Sequence, residues 1–469
     1  MNLETDNKIQ KKGITLVIPN PCGNIKETKM KNSGIEWIGE IPDDWEVKPV
    51  KRYFSHVKRI VGDDVDKYER LSLTMQGVLK RSKDDAEGLQ PEKFNGYQIL
   101  KQNELVFKLI DLENVNTSRV GISPFNGLVS PAYIILTNNK KDNTFYYYWF
   151  LNMYYQEIFN KLGDGGVRSA LNASDVLSLP MVYLNNETQQ CIASYLDKKC
   201  SKIEETIQNQ QQVIEKLKAY KQSLITESVT GKVKIENGKV CGEYESYKDS
   251  GVEWLGKIPS EWEVGKTGMF TYVTKLAGFE FTDIMMDKIS EKGDVPIVRA
   301  QNVRMFKFNK EIINEYIDLL TSNTLNRCCL DKKCLLITFI GAGIGDICIF
   351  DESIRYHLAP NVAKIEIRNF AKTKLCEEFL MYYIGSEPGK REIANISKVA
   401  AQPSLSMETI RKIKLCIPPF EEQKLIVDYL YPKCLSIDKT IEQKQKLIVK
   451  LTEYKKSLIY ECVTGKKEI

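Results

Sequence analysis

The stretch SGIEWIGEIPDDWEV, residues 33–47, occurs again as SGVEWLGKIPSEWEV at residues 250–264, with ten of fifteen positions identical at an offset of 217. Four of the five tryptophans in the chain, Trp37, Trp45, Trp254 and Trp262, stand in these two boxes. The repetition continues beyond the box. LKAYKQSLITESVTGK (217–232) returns as LTEYKKSLIYECVTGK (451–466), with eleven of sixteen positions identical at an offset of 234. Extended backwards without a gap, that offset sets NETQQCIASYLDKKCSKIEETI (186–207) against FEEQKLIVDYLYPKCLSIDKTI (420–441). The two offsets differ by 17, so the second copy carries seventeen extra residues between its box and its tail. The chain is two copies of one plan, alike where parts are mounted and different in what is mounted.

The tails carry a heptad. Ile203, Ile207, Gln210, Ile214, Leu217, Lys221 and Leu224 step alternately by four and three, and Ile437, Ile441, Lys444, Ile448, Leu451, Lys455 and Leu458 repeat the pattern. Such a seam is an apolar stripe that must be covered. Two matching seams in one chain can cover each other, as antiparallel helices related by a pseudo-two-fold axis with a head at each end. From Cys200 to Ser228 a helix runs about 44 Å at 1.5 Å per residue. Gly231 and Gly465 follow the helix ends, where a glycine often stops a helix. Pro432 predicts that the second long helix begins there and that EEQKLIVDYL is a separate short helix, since proline lacks the donor an interior turn needs.

Between box and tail lie the inserts, 48–170 and 265–404, of 123 and 140 residues with no convincing gapless match between them. Short apolar or alternating runs such as ELVFKLI, GLVSPAYIIL, VPIVRAQNV and KCLLITFIGAGIGDICIF, bounded by Gly, Pro and Asn, read as strands. NTFYYYWFLNMYYQEIFNKL and LCEEFLMYYI read as helices between them. The fold class is therefore α+β: two β-rich domains, two long antiparallel coiled-coil helices, and an internal pseudo-two-fold repeat. The expected divisions are an N-terminal extension 1–32, a first domain 33–185, a first helical spacer 186–232, a linker 233–249, a second domain 250–419, and a second spacer with the C-terminal tail, 420–469. The tryptophans of the boxes read as packing residues at the entry to each domain.

Composition sets bounds on function. A length of 469 residues suggests two to four domains. No stretch approaches the roughly 18 apolar residues of a membrane span. The N-terminus lacks the long apolar core of a secretory signal, which points to the cytoplasm. Sixty-seven basic against 62 acidic residues give a net charge of +5, which allows a polyanionic partner without requiring one. The twelve cysteines are scattered; Cys328, Cys329 and Cys334 cluster without paired zinc spacing and read as reduced thiols. His56 and His357 are the only histidines and stand in unrelated contexts, so a histidine-based catalytic centre is not expected.

Over residues 33–466 the two boxes, the EEQKLIVDYL segment and the two VTGK helix ends make the chain resemble the specificity subunit of type I restriction-modification systems. The resemblance implies two target recognition domains that read the halves of an interrupted site in double-stranded DNA. It implies two methyltransferase subunits held on the long helices, and two restriction subunits where the system cleaves. S-adenosylmethionine, ATP and Mg are then expected on those partners, with no catalytic residue, cofactor or metal on this chain. Two departures stand out: NNETQQCIASYL is a weak form of its motif, and the first 29 residues precede the family's usual start, as a disordered tail or a misassigned start.

Catalytic motifs are tested directly against this expectation. FIGAGIGD (339–346) contains the F-x-G-x-G of a methyl-donor loop, but the following ICIFDESI reads as a strand where that loop needs a helix. Gly341, Gly343 and Gly345 are better read as a hairpin turn. NPCG at Asn20 lacks the second proline and the aromatic residue that would stack on a flipped base. PDDWEVK superficially offers Asp43, Glu46 and Lys48 as nuclease parts, but the second copy has Gly265 in place of Lys48. The rival classes are a methyltransferase in its own right, which lacks those motifs, and a coiled-coil scaffold, which needs no basic loops. For DNA contact the side chains to expect are basic or amide groups on loops: Arg81, Lys83, Arg119 and Arg168 in the first head, and Arg299, Gln301, Asn302, Arg304 and Gln402 in the second.

Overall fold

The computed structural model describes residues 29–85, 93–112, 119–139, 142–162, 170–341, 343–397, 405–467 and 469. Arg168, Gln402, Asn20 and nearly all of the N-terminal extension lie outside the described residues. Ten strands build the first head: β1 (Glu46–Pro49), β2 (Ser55–His56), β3 (Arg70–Thr74), β4 (Gly77–Arg81), β5 (Gln98–Leu100), β6 (Leu105–Lys108), β7 (Arg119–Ile122), β8 (Gly127–Val129), β9 (Ile134–Thr137) and β10 (Pro180–Tyr183). Ten counterparts build the second: β11 (Glu263–Lys266), β12 (Thr271–Lys275), β13 (Val295–Val298), β14 (Tyr316–Ile317), β15 (Cys329–Leu330), β16 (Cys334–Thr338), β17 (Ile347–Phe350), β18 (Tyr356–Leu358), β19 (Val362–Ile367) and β20 (Lys414–Ile417).

The first head has sheets ordered β4-β3-β8-β5 and β2-β9-β6-β7, with β1 paired to β10. The second has β14-β13-β18-β15 and β12-β19-β16-β17, with β11 paired to β20. Each order becomes the other when ten is added. Even the parallel neighbours agree, β3 with β8 and β13 with β18. Two inserts without a sequence match thus share one topology, because a buried strand needs apolar side chains of fitting volume rather than particular ones. β6 meets this need with Leu105, Val106 and Phe107, and β16 with Leu335, Leu336 and Ile337, all fully buried. The largest length difference is local: residues 299–315 join β13 to β14, where the first head has only Met75 and Gln76 between β3 and β4.

Helices repeat as well: α1 (Thr144–Tyr155), α2 (Ile158–Leu162), α3 (Ala173–Ser178) and α4 (Asn186–Val229), then α5 (Glu377–Gly385), α6 (Glu387–Ser397), α7 (Met407–Lys412) and α8 (Phe420–Val463). The long helices α4 and α8 have 44 residues each, or about 66 Å. The break expected at Pro432 is absent; α8 runs through it. Pro432 and Asp428, four residues earlier, are both exposed, so water can satisfy the carbonyl that proline leaves without a donor. Ile426, Leu430, Cys434 and Ile437 are buried on either side of the proline and hold the helix to its course.

Contacts group the described residues into two units, one comprising those up to Gln210 together with Lys446–Ile469, the other Gln211–Gln445. Within the first, Leu458, Ile459, Cys462 and Val463 of α8 belong to the same core as Trp45, Trp149 and Leu196. Within the second, Leu224, Ile225 and Val229 of α4 join Trp262, Phe379 and Leu430. Each head's core is completed by the tail of the other repeat. The helices pair antiparallel in both units: Glu204 meets Lys455 and Cys191 approaches the Ile469 carbonyl in one, and Lys221 meets Asp438 in the other. All fourteen heptad positions named above are buried or half-buried.

At each junction the box meets a helix end. Gly231 and Gly465 have φ of +71° and +72°, the left-handed conformation that ends a helix when the next N–H reaches back. Lys232 N–H donates to the Glu227 carbonyl at 3.0 Å and Lys466 N–H to Glu461 at 2.8 Å. A Cβ on Gly231 would fall 2.3 Å from the Pro259 ring, and one on Gly465 would fall 2.4 Å from Pro42. Trp262 and Trp45 back these prolines, 0% and 4% exposed, while Trp37 and Trp254 are half-buried. The first box therefore seats the end of α8, and the second box seats the end of α4. In the segment 233–249, Lys234–Glu236 and Lys239–Gly242 form a hairpin about Asn237-Gly238.

Candidate nucleic-acid interface

In the first head β3 and β4 form a hairpin with Arg70 opposite Arg81 at its open end and Thr74 opposite Gly77 at the turn. Arg81 and Lys83 lie together at the open end, half-buried and engaged with the head itself. Arg81 Nε donates to Asp85 Oδ2 at 2.6 Å, and Lys83 Nζ donates to the Val65 carbonyl at 2.8 Å. Lys80 pairs with Glu69 at 2.5 Å. Acids of the same loops thus offset much of this charge. Arg119 opens β7 and borders the other end of the hairpin, beside Met75 and Gln76, so it is not part of the Arg81 group.

Arg299, Gln301, Asn302 and Arg304 all fall in the long connection 299–315 of the second head. The expectation that Asn302 reads DNA is corrected by its burial, at 1% exposure. Its Oδ1 accepts the Arg299 N–H at 2.8 Å and its Nδ2 donates to the Asn309 carbonyl at 3.1 Å, so the amide is occupied in folding the loop. Arg299 is half-buried and ion-paired with Glu315, which closes the base of the same loop. Gln301 and Arg304 are exposed. Arg304 stands opposite Lys307 in the hairpin of Val303–Arg304 with Lys307–Phe308. Asp346 is held above its ordinary range by burial, with Arg304 and Lys390 pulling the other way.

The glycine-rich segment closes the hairpin of β16 and β17, paired from Cys334↔Phe350 to Ile337↔Ile347. Gly341 and Gly345 have φ of +101° and +85° in this turn, and a strand follows where a methyl-donor loop requires a helix. His56 is exposed on β2. His357 is buried with Nδ1 2.8 Å from the Leu358 carbonyl, and burial lowers its pKa. Cys328 and Cys334 are buried, which pushes their thiols up to about 11 and about 12. Glu46 pairs with Lys48 on the surface.

A further surface was not singled out from the sequence. β2 and β12 are matching sheet edges. Around β2 stand Lys51, Arg52, Tyr53, His56 and Lys58, all exposed; around β12 the Arg368 guanidinium lies 4.4 Å from the centre of the exposed Tyr272 ring, and Met269 and Phe370 are exposed beside it. Cations interleaved with aromatic rings suit phosphate and base contact, and the basic run KRYFSHVKR (51–59) was the available signal. Arg59 of that run is used internally, in a two-bond pair with Glu104 at 2.7 and 2.9 Å.

The family model described as the type I restriction modification DNA specificity domain matches residues 259–453. A Methanocaldococcus jannaschii protein described as the MjaX type I restriction enzyme specificity subunit is 25% identical over 446 residues, covering 92% of this chain and 95% of that one. The chain is a type I specificity subunit. The EcoBI specificity subunit of Escherichia coli is 24% identical over 315 residues, 61% of each chain. A chain in a solved structure of a type I R-M system, 11% identical, covers 91% of this specificity subunit and 99% of its own length with a TM-score of 0.62, which shows a shared fold. The subunit's part is DNA sequence recognition, without catalysis of its own. None of its described helices is long and apolar enough to cross a membrane.

Proposed function

We propose that this chain reads a bipartite, interrupted DNA site, one half with each head, and directs adenine methylation, and cleavage of unmodified DNA, by partner subunits in the cytoplasm. The observation that carries this reading is the pair of heads with one strand order and dissimilar surfaces. Two readers of one design but different side chains suit two different DNA words. S-adenosylmethionine, ATP and Mg belong on the partners.

Two methyltransferase subunits are favoured by a second equivalence. Tyr220 and Tyr454 are related by the 234 offset and are 57% and 54% exposed, and Val213 and Leu447, one heptad earlier on the same helices, are 36% and 41% exposed. Such paired apolar surface suits two copies of one partner. The test is a map of methylated adenines in cells whose chain carries residues 48–170 from a relative. One half of the site is expected to change and the other to persist; a change in both halves would refute the two-reader scheme. Pure chain with S-adenosylmethionine and site-bearing DNA is expected to transfer no methyl groups until methyltransferase subunits are added.

A further inference from the structure

In the first unit, α1, α4, α8 and the β3–β4 turn enclose a cavity of about 330 Å³. Tyr148, Leu151, Arg119 and Lys455 are among its walls, and the exposed Met75 and Gln76 stand at its mouth. The repeat identifies the corresponding place in the second unit. Across the 234 offset Tyr148 corresponds to Tyr382, Leu151 to Gly385 and Lys455 to Lys221. Arg119, first in β7, corresponds to Ile347, first in β17.

Those four counterparts converge on one side chain, Phe306. Its N–H donates to the Ile347 carbonyl at 2.7 Å, its ring centre lies 5.4 Å from that of Tyr382, and the Lys221 ammonium sits 5.4 Å from it. A Cβ on Gly385 would come within 2.3 Å of the Phe306 ring, so glycine makes the room. Phe306 adopts a φ of +64°, a conformation unfavourable for a side chain that large. Its contacts hold it there. The residue arrives on the 299–315 connection that the first head lacks.

We propose that the first-head cavity is a socket for an aromatic side chain supplied by a partner protein chain. This rests on the reading above, in which the long helices hold methyltransferase subunits. An aromatic ring is indicated because Lys455 stands where Lys221 faces the Phe306 ring, and an ammonium over a ring face is attractive. An outside source is indicated because Met75 and Gln76 provide no ring. A nucleotide is disfavoured, since Asp197 and Glu204 also line the cavity and would repel a phosphate.

The probe is N-acetylphenylalanine amide, titrated into the intact chain and followed by NMR. One saturable site is expected in the millimolar range. Leu151→Trp, or Ser201→Trp from the helix side, should abolish it, and Phe306→Ala should raise the count to two. Assembly with methyltransferase subunits should block the first-head site. Binding by the Phe306→Ala chain alone, with none to the natural chain, would overturn the socket. A probe site that persists in an assembled, methylating complex would overturn the partner as its occupant while leaving the DNA-reading role untouched. A complex that assembles but methylates no defined site would count against that role instead.

Discussion

Lys221 and Asp438 are joined by a charge-assisted contact of 2.6 to 2.7 Å across the antiparallel helices, and Lys455 and Glu204 are the same pair 234 residues on. The lysines lie in the seam, 14% exposed at the side chain in both pairs, whereas the acids are about half exposed. Solvent screening of the acids keeps the net contribution small, about 0.5 to 1 kcal/mol each. A double-mutant cycle with Lys221→Met and Asp438→Asn, measured by urea unfolding, should return a coupling of about that size. The cycle at Lys455 and Glu204 should match it. A coupling at one pair only would mean that the two helix contacts are not equivalent.

Gly231→Ala and Gly465→Ala each place a methyl group against a proline ring at a left-handed helix end. The conformation costs about 1 kcal/mol and the overlap about 1 to 3 kcal/mol more. The location of the damage is the sharper expectation. Gly465→Ala, close to the C-terminus, should loosen the first head, and Gly231→Ala the second. Hydrogen exchange read peptide by peptide should show faster exchange around Trp45 in one variant and around Trp262 in the other. The opposite assignment would contradict the exchange of tails between heads.

These junctions were legible in the sequence for a physical reason. A helix end under a proline and a tryptophan demands particular residues, so box and VTGK recur almost unchanged. The heads were legible only as β-rich, because β6 and β16 need nothing more specific than buried apolar volume, and their shared strand order emerges from long-range pairing. Asn302 was misjudged because an amide that reads a base and an amide that caps a loop are the same chemical group; burial separates them, and burial is not visible in a local run. Pro432 was misjudged because the rule against proline inside a helix weakens where the freed carbonyl faces water.

Pro432→Ala should therefore stabilise the second unit. The substitution restores one backbone hydrogen bond to the Asp428 carbonyl and removes the ring's clash with it, for a gain of about 1 to 3 kcal/mol. The urea midpoint should rise with an unchanged slope. A loss of stability would show that α8 relies on the proline for its course.

Acid should weaken the second head through His357. Its folded-state pKa is depressed by burial, so below about pH 6.5 the unfolded chain takes up a proton that the folded chain resists. Stability from the neutral imidazole is present above that pH and is lost as pH falls from there towards the lower folded-state value. His357→Gln should be less stable at pH 8 but show a shallower decline between pH 7 and 5, seen in thermal unfolding at a series of pH values. An unchanged slope would mean that the imidazole takes up its proton equally in both states.

Gln301 and Asn302 are neighbours of the same side-chain class with opposite expected effects. Asn302→Ala removes an acceptor for the Arg299 N–H and a donor to the Asn309 carbonyl, leaving buried groups unpaired at about 1 to 3 kcal/mol each. The second unit should melt earlier, and whatever sites the complex still methylates should have an unchanged sequence. Gln301→Ala and Arg304→Ala change exposed side chains and should leave the melting temperature within error. If the exposed side of the 299–315 connection faces DNA, these two variants should relax one half-site or weaken binding with a shallower salt dependence, as loss of a base or phosphate contact does. Adenine mapping and a salt titration of DNA binding distinguish the two results. Wild-type behaviour of both variants in both measurements would remove this connection from the interface and leave the edges at β2 and β12, with Arg52 and Arg368, as the surfaces to test.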